Sequence, residues 1–166
     1  MTPFIAEIIG TTLLIILGGG VVANVELNKT IGNNSGWIVV TTGWALAVYV
    51  AVVVTGPFSG AHINPAVSVG LAVAGEFAWE MVPSYVLAQM IGAMLGATIV
   101  WLVYKNHFDA TKDGDTKKAV FCTAPAIRHR FFNLVGEIVE TFVLVLTILN
   151  FTYATLADIY QLVGIG

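Results

Sequence analysis

The chain has 166 residues, 57% of them hydrophobic and only 10% charged, with a formal net charge of −3 and a mean hydropathy of +0.87. A soluble domain carries about 25% charged residues, so this composition belongs in a bilayer and allows one domain at most. The small net charge gives no sign of a nucleic-acid partner, and the single cysteine, Cys122, excludes a disulfide within the chain.

A first apolar span is predicted from Phe4 to Val25. The residues before it, Met1-Thr2-Pro3, lack the basic region of a signal peptide. The span holds Glu7 and the run Gly18-Gly19-Gly20. The glycines read as a close helix contact, since a phosphate loop needs a lysine and a β–α setting. A polar loop, Glu26 to Gly36, follows; its two formal glycosylation sequons, beginning at Asn28 and Asn33, are given no weight. Span two is predicted from Trp37 to Val54, with Gly43, Ala47 and Ala51 at four-residue spacing as a small-residue contact face.

Next comes Ser59-Gly60-Ala61-His62-Ile63-Asn64-Pro65-Ala66-Val67-Ser68. Its polar groups cannot face lipid, where each needs an internal partner. It reads as a loop over 55–63 that becomes a helix, with Asn64 as N-cap and Pro65 at the first helical position. The helix, about Ala66 to Ala74, falls far short of the ~20 residues that span a bilayer. A half-helix starting at membrane depth aims its unpaired N–H groups and positive dipole end at whatever lies there. Such a segment is expected to line a watery path or a binding site.

Span three is predicted from Pro83 to Tyr104, with Gly92 and Gly96 as another close-packing face and Gln89 as a buried hydrogen-bonding group. Lys105 to Arg130 reads as an exposed polar loop, within which Phe121-Cys122-Thr123-Ala124-Pro125 is apolar enough to fold back towards a pore mouth. Span four is predicted from Phe131 to Tyr153, and 154–166 is a tail. Glu7-Ile8-x-x-Thr11-x-x-Leu14 in span one repeats as Glu137-Ile138-x-x-Thr141-x-x-Leu144 in span four. Three crossings separate the two copies, so they run in opposite directions through the bilayer, the inverted repeat of many transport proteins. The organisation is then a single membrane domain: a three-span repeat over 1–108 with its re-entrant loop at 55–74, a polar loop over 109–130, the first span of a second repeat over 131–153, and the tail.

Ser-Gly-Ala-His-Ile-Asn-Pro-Ala-Val, placed after an apolar span, resembles the first signature loop of the major intrinsic proteins, the aquaporins and glycerol facilitators. The resemblance implies an all-α membrane protein, an aquaporin-like inverted-repeat bundle of which four spans and one signature loop are present. It implies a passive channel in a bacterial plasma membrane, a homotetramer, with glycerol, water and similar neutral solutes as partners and no cofactor. The signature is Asn64-Pro65-Ala66. The carbonyls of Gly60, Ala61, His62 and Ile63 are expected to line the path as acceptors, Asn64 to donate at its midpoint, and Val48 and Val67 to supply the apolar lining. The matching glutamates, Glu7 and Glu137, are expected as structural braces, with Glu137 holding the loop around His62. Trp44 stands twenty residues before Asn64, at the filter position where glycerol facilitators carry Trp and water-selective members usually Phe.

Four spans and one loop make an incomplete set for the family, so the chain is expected to supply one part of a pore. A water-selective channel and a non-conducting scaffold are the other readings of the same residues. No nucleophile–base pair or cofactor motif points to an enzyme. His62 has no companions for metal binding, since His107 and His129 lie in the distant loop, and reads as structural.

Overall fold

The computed structural model describes residues 1–151, so the expected tail and the last two residues of predicted span four lie outside the described residues. The elements are α1 (Pro3–Glu26), α2 (Trp37–Ser59), α3 (Pro65–Val73), a 3-10 turn (Trp79–Met81), α4 (Val82–Val103), α5 (Lys105–Ala110), α6 (Gly114–Ala119) and α7 (Arg130–Phe151). Among the described residues, four helices are long and apolar enough to cross a membrane: α1, α2, α4 with the turn before it, and α7. At 1.5 Å per residue, the 24 residues of α1 reach about 36 Å, enough for the ~30 Å hydrocarbon core. The chain divides into two compact units, Met1–Pro65 with Pro83–Ala124, and Ala66–Val82 with the residues from Pro125 on.

The first unit is built on α1. Thr2 caps its start by accepting from the amide of Ile5, and Pro3 occupies the first helical position, where its missing N–H costs nothing. At the other end, the side-chain amide of Asn33 donates to the carbonyls of Val25 and Leu27, and the hydroxyl of Thr30 donates to Asn24 and Leu27. These bonds satisfy carbonyls that the end of a helix leaves without intrahelical partners. The sequon residue Asn33 is thus a structural cap.

Small residues set the helix spacing. The ring of Trp44 on α2 lies over Gly18 of α1; a Cβ on Gly18 would come within 2.5 Å of the ring. Ala47 and Ala51 of α2 are fully buried. On α4, a Cβ on Gly92 would stand 2.5 Å from the carbonyl oxygen of Ile8, and one on Gly96 would stand 2.7 Å from Ile15. The Thr12 hydroxyl bridges the same contact, donating to Ile8 at 2.7 Å and across to Gly92 at 3.1 Å. Without a hydrophobic driving force in lipid, close packing of this kind carries helix association.

Two expectations change. Span two continues to Ser59 through Pro57, five residues past its expected end, and the connecting loop shrinks to 60–64. Proline cannot donate to the carbonyl four residues back, but in the final turn that loss does not end the helix; left-handed Gly60, at φ 79°, does. The segment after α4 is also not simply an exposed loop. It forms α5 and α6, and Phe108 and Val120 enter a core with Ala23, Leu27 and Val100. Phe121 stacks on Phe108 with ring centroids 5.7 Å apart. A few apolar residues among many charges anchor the segment to the end of α1. Asp113 starts α6 by accepting from the amide and hydroxyl of Thr116, which holds its carboxyl below the usual aspartate value.

In the second unit, α3 ends as a glycine-capped helix. Gly75 has φ 81°, its N–H bonds the carbonyl of Ala72, and that of Glu76 bonds Leu71 at 2.9 Å. This double closure fits a left-handed glycine just past the last turn. The nine residues of α3 cover about 14 Å, less than half the hydrocarbon thickness. Gly70 of α3 meets Val145 of α7, where a Cβ would come within 2.6 Å.

Replacing Gly92 with Leu drives a side chain into the backbone of α1. We expect it to destabilise the chain in detergent by ~1–3 kcal/mol. Gly20→Leu is the control, because nothing lies within 4 Å of a Cβ there. Equal unfolding midpoints for the two variants in a denaturant titration would show that the α1–α4 contact does not depend on glycine.

Candidate functional site: the re-entrant loop

Glu7, in the second turn of α1, is fully buried. An unpaired carboxylate at membrane depth is costly; this one receives four donors. Its Oε1 accepts from the Ser59 hydroxyl at 2.6 Å and the His62 amide at 3.0 Å. Its Oε2 accepts from the Ile63 amide at 2.8 Å and the Gln89 side-chain amide at 2.7 Å. The capacity of a carboxylate is about four such bonds. Ser59 in turn accepts from the Ala61 amide at 3.1 Å. Three consecutive amides, those of residues 61, 62 and 63, therefore face one glutamate and its serine partner.

The peptide plane carries the consequence. In a trans peptide the C=O of one residue points opposite to the N–H of the next. With amides 61–63 turned onto Glu7 and Ser59, the carbonyls of Gly60, Ala61 and His62 point away from that cradle, on one side of the loop.

Holding the loop this way strains the backbone. Gly60, Ala61 and Ile63 have φ of 79°, 50° and 44°. For a β-branched residue such as Ile63 this is a genuine outlier, of a kind costing ~1–3 kcal/mol, and it persists only where the surroundings over-determine it. The determinants are the bond from the Ile63 amide to Glu7 and the packing of the Ala61 and Ile63 side chains beside Ala51, Leu13 and Leu14. Gly10, one turn from Glu7, allows the approach: a Cβ there would lie 2.7 Å from Thr55 and 2.8 Å from Ile63.

The carboxylate that accepts from the amides of His62 and Ile63 is that of Glu7; Glu137, the other expected brace, lies on α7 in the second unit. Glu7 sits on the helix that packs against α2 and α4, which bring the loop and Gln89 to it. The repeated Thr11 is buried while its counterpart Thr141 is exposed. Sequence reasoning missed Ser59 and Tyr85 as partners of the loop. Tyr85 is buried, donates its hydroxyl to the Ser59 carbonyl at 2.9 Å, and sets its ring 4.8 Å from that of His62. The available signal was the pair Tyr85 and Gln89, polar-tipped groups four residues apart and so on one helix face.

The remaining expected residues are distributed as follows. His62 is buried, Asn64 is half-buried, and Pro65 and Ala66 open α3. Val67 is buried in α3 and Val48 is 44% exposed on α2. Trp44 stands fifteen residues before Ser59 on α2, about 22 Å along the helix. It is half-buried and lines an apolar cavity of about 260 Å³ with Ile15, Gly19, Met90, Met94 and Phe121. Phe121 was expected to fold back towards a pore mouth, and it is part of this cavity wall. Among the described residues, no three His, Cys, Asp or Glu side chains cluster as a metal site.

Four helices of membrane-crossing length, with a strained loop and a nine-residue helix between the second and third of them, define an all-α integral membrane protein. The family model of the major intrinsic proteins matches residues 1–159, and the chain belongs to that family, one of channels rather than enzymes. It is 54% identical over 158 residues to a probable glycerol uptake facilitator protein of Thermotoga maritima, covering 95% of this chain and 68% of the relative. It is 52% identical over 149 residues to the glycerol uptake facilitator protein of Bacillus subtilis, covering 90% and 54%. The solved aquaglyceroporin from Plasmodium falciparum is similar with a TM-score of 0.59 at 36% identity, covering 64% of this chain and 43% of that one. The chain thus spans roughly half to two thirds of the length of these curated relatives.

Replacing Glu7 with Gln turns one oxygen into an NH₂ group facing donors. Either the His62 or the Ile63 amide then loses its acceptor, at a cost of ~1–3 kcal/mol. Hydrogen exchange followed by NMR in micelles should show one of these amides exchanging about ten- to a hundredfold faster. Unchanged protection at both would mean that the loop is held by something other than Glu7.

Proposed function

We propose that these residues build one half of a passive channel for glycerol, similar small neutral solutes and water, working as a homo-oligomer in a bacterial plasma membrane. The observation that supports this best is that Glu7 and Ser59 hold the amides of residues 61–63, which turns the carbonyls of Gly60, Ala61 and His62 away from them. A solute leaving water must find replacement hydrogen bonds, and a file of fixed acceptors offers them without a reorganisation cost. Asn64 serves as a donor at the end of the file. The dipole of α3, which begins directly after Asn64, disfavours cations there.

Trp44 is the basis for preferring glycerol to water alone. Its ring lines an apolar cavity, and an apolar wall suits the CH groups of a carbon skeleton, which water does not have. The relatives named as glycerol facilitators agree with this preference.

One half-helix provides one wall. Reconstituted alone in liposomes, residues 1–166 are expected to leave glycerol entry at the lipid background. Robust, selective flux from the isolated chain would overturn that expectation and point to pores made by two copies.

Selectivity is tested in a chimera in which this chain replaces the matching part of the Bacillus subtilis relative. Replacing Trp44 with Phe, beside a histidine at the facing filter position on the fifth span, removes apolar wall and adds a polar group. The glycerol-to-water permeability ratio should fall by about tenfold in stopped-flow light scattering. An unchanged ratio would make Trp44 a packing residue and favour the water-channel reading.

A further inference from the structure

Gln89 and Tyr85 are polar groups deep in a membrane helix, 2% and 4% exposed. Such groups are expensive unless they do something. Four residues apart, they share one face of α4. That face reaches the loop at two points. Tyr85 bonds the Ser59 carbonyl at the end of α2, and Gln89 bonds Oε2 of Glu7, the oxygen that also holds the Ile63 amide. Gly92, one turn further on, meets the backbone of α1 at Ile8 and so brings Gln89 within reach of Glu7.

The two oxygens of Glu7 are loaded symmetrically, each with one loop amide and one side-chain donor. Ser59 is the side-chain donor on Oε1 and Gln89 the one on Oε2. Four donors fix the carboxylate plane. With Gln89's donor gone, Oε2 is held by the Ile63 amide alone, and the carboxyl can turn about its terminal bond, which is a soft torsion. Ile63 is the residue with most to gain from release, because its φ of 44° is disfavoured for a β-branched side chain. Its return to negative φ would swing the peptide between residues 62 and 63, and with it the His62 carbonyl.

We propose that Gln89, supported by Tyr85, is a positioning residue: it locks Ile63 in the left-handed conformation and thereby aims the His62 carbonyl. The effect on solutes rests on the channel reading above; the effect on the loop does not.

The test uses Gln89→Met, which keeps length and apolar volume, in the 166-residue chain in micelles. The Ile63 amide should lose its carboxylate-bonded downfield shift and exchange about tenfold faster, one hydrogen bond's worth. The His62 amide, on Oε1, should change less, and the thermal midpoint should stay close to the parent's. An unmoved Ile63 resonance overturns the proposal, as does an equal change at both amides, which is the mark of general loosening. If Gln89→Met does not fold, Tyr85→Phe removes only a hydroxyl. Its expected signature is a shift confined to the Gly60 and Ala61 amides, and its absence overturns Tyr85's part.

The same Gln89→Met change in the Bacillus subtilis chimera should lower glycerol permeability about three- to tenfold through the misaimed acceptor. A moved Ile63 amide with unchanged flux leaves the positioning role standing and sinks the reading of the carbonyl row as the solute path.

Discussion

A single buried carboxylate organises this molecule. Glu7 would be prohibitively costly at membrane depth if left alone, and the chain surrounds it with four donors drawn from the end of α2, the loop and α4. The same bonds solve a second problem. A loop at membrane depth has backbone N–H groups that water cannot reach and that must find partners within the protein. Glutamate and loop each satisfy what the other lacks. One side of the loop is thereby spent on protein, and its carbonyls are left on the other.

The helices around this centre pack by approach rather than by bulk. Gly10, Gly18, Gly92 and Gly96 each stand where a single added carbon would meet a neighbour at under 3 Å. Lipid tails are as apolar as leucine, so larger side chains would gain nothing by facing one another, while close backbones gain dispersion contacts and bonds such as that from Thr12 to Gly92. The glycines also set the reach of the polar groups. Gly10 lets α1 come close enough for Glu7 to meet the loop, and Gly92 does the same for Gln89.

Two features along α2, about 22 Å apart, divide the chemistry of the proposed path. At the loop the groups proposed to be offered are polar and fixed, carbonyl acceptors with Asn64 as donor. At Trp44 the surroundings are apolar, with Met90, Met94 and Phe121 beside the indole ring. Phe121 is held there through its stack on Phe108, itself buried against Leu27 and Val120. A segment that is mostly charged thus contributes to the apolar cavity through a few hydrophobic anchors.

By itself the sequence determined the four spans, the half-helix and the family. Each rests on local information: runs of apolar residues, a proline and an asparagine at a helix start, a nine-residue motif, and glycines at four-residue spacing. It also marked Glu7, Trp44 and the loop residues as places of interest. What it left open were the partnerships. Two identical Glu-Ile-x-x-Thr patterns carry no sign of which glutamate holds the loop, because that depends on which helices touch. Ser59 and Tyr85 bond across 52 and 26 residues to partners that no periodicity links. The extension of α2 through Pro57 and the anchoring of α5 and α6 were likewise decided by packing, which overrode a helix breaker in one case and a run of charges in the other. Tertiary structure alone could decide these, since each is a contact between segments whose own sequences permit more than one arrangement.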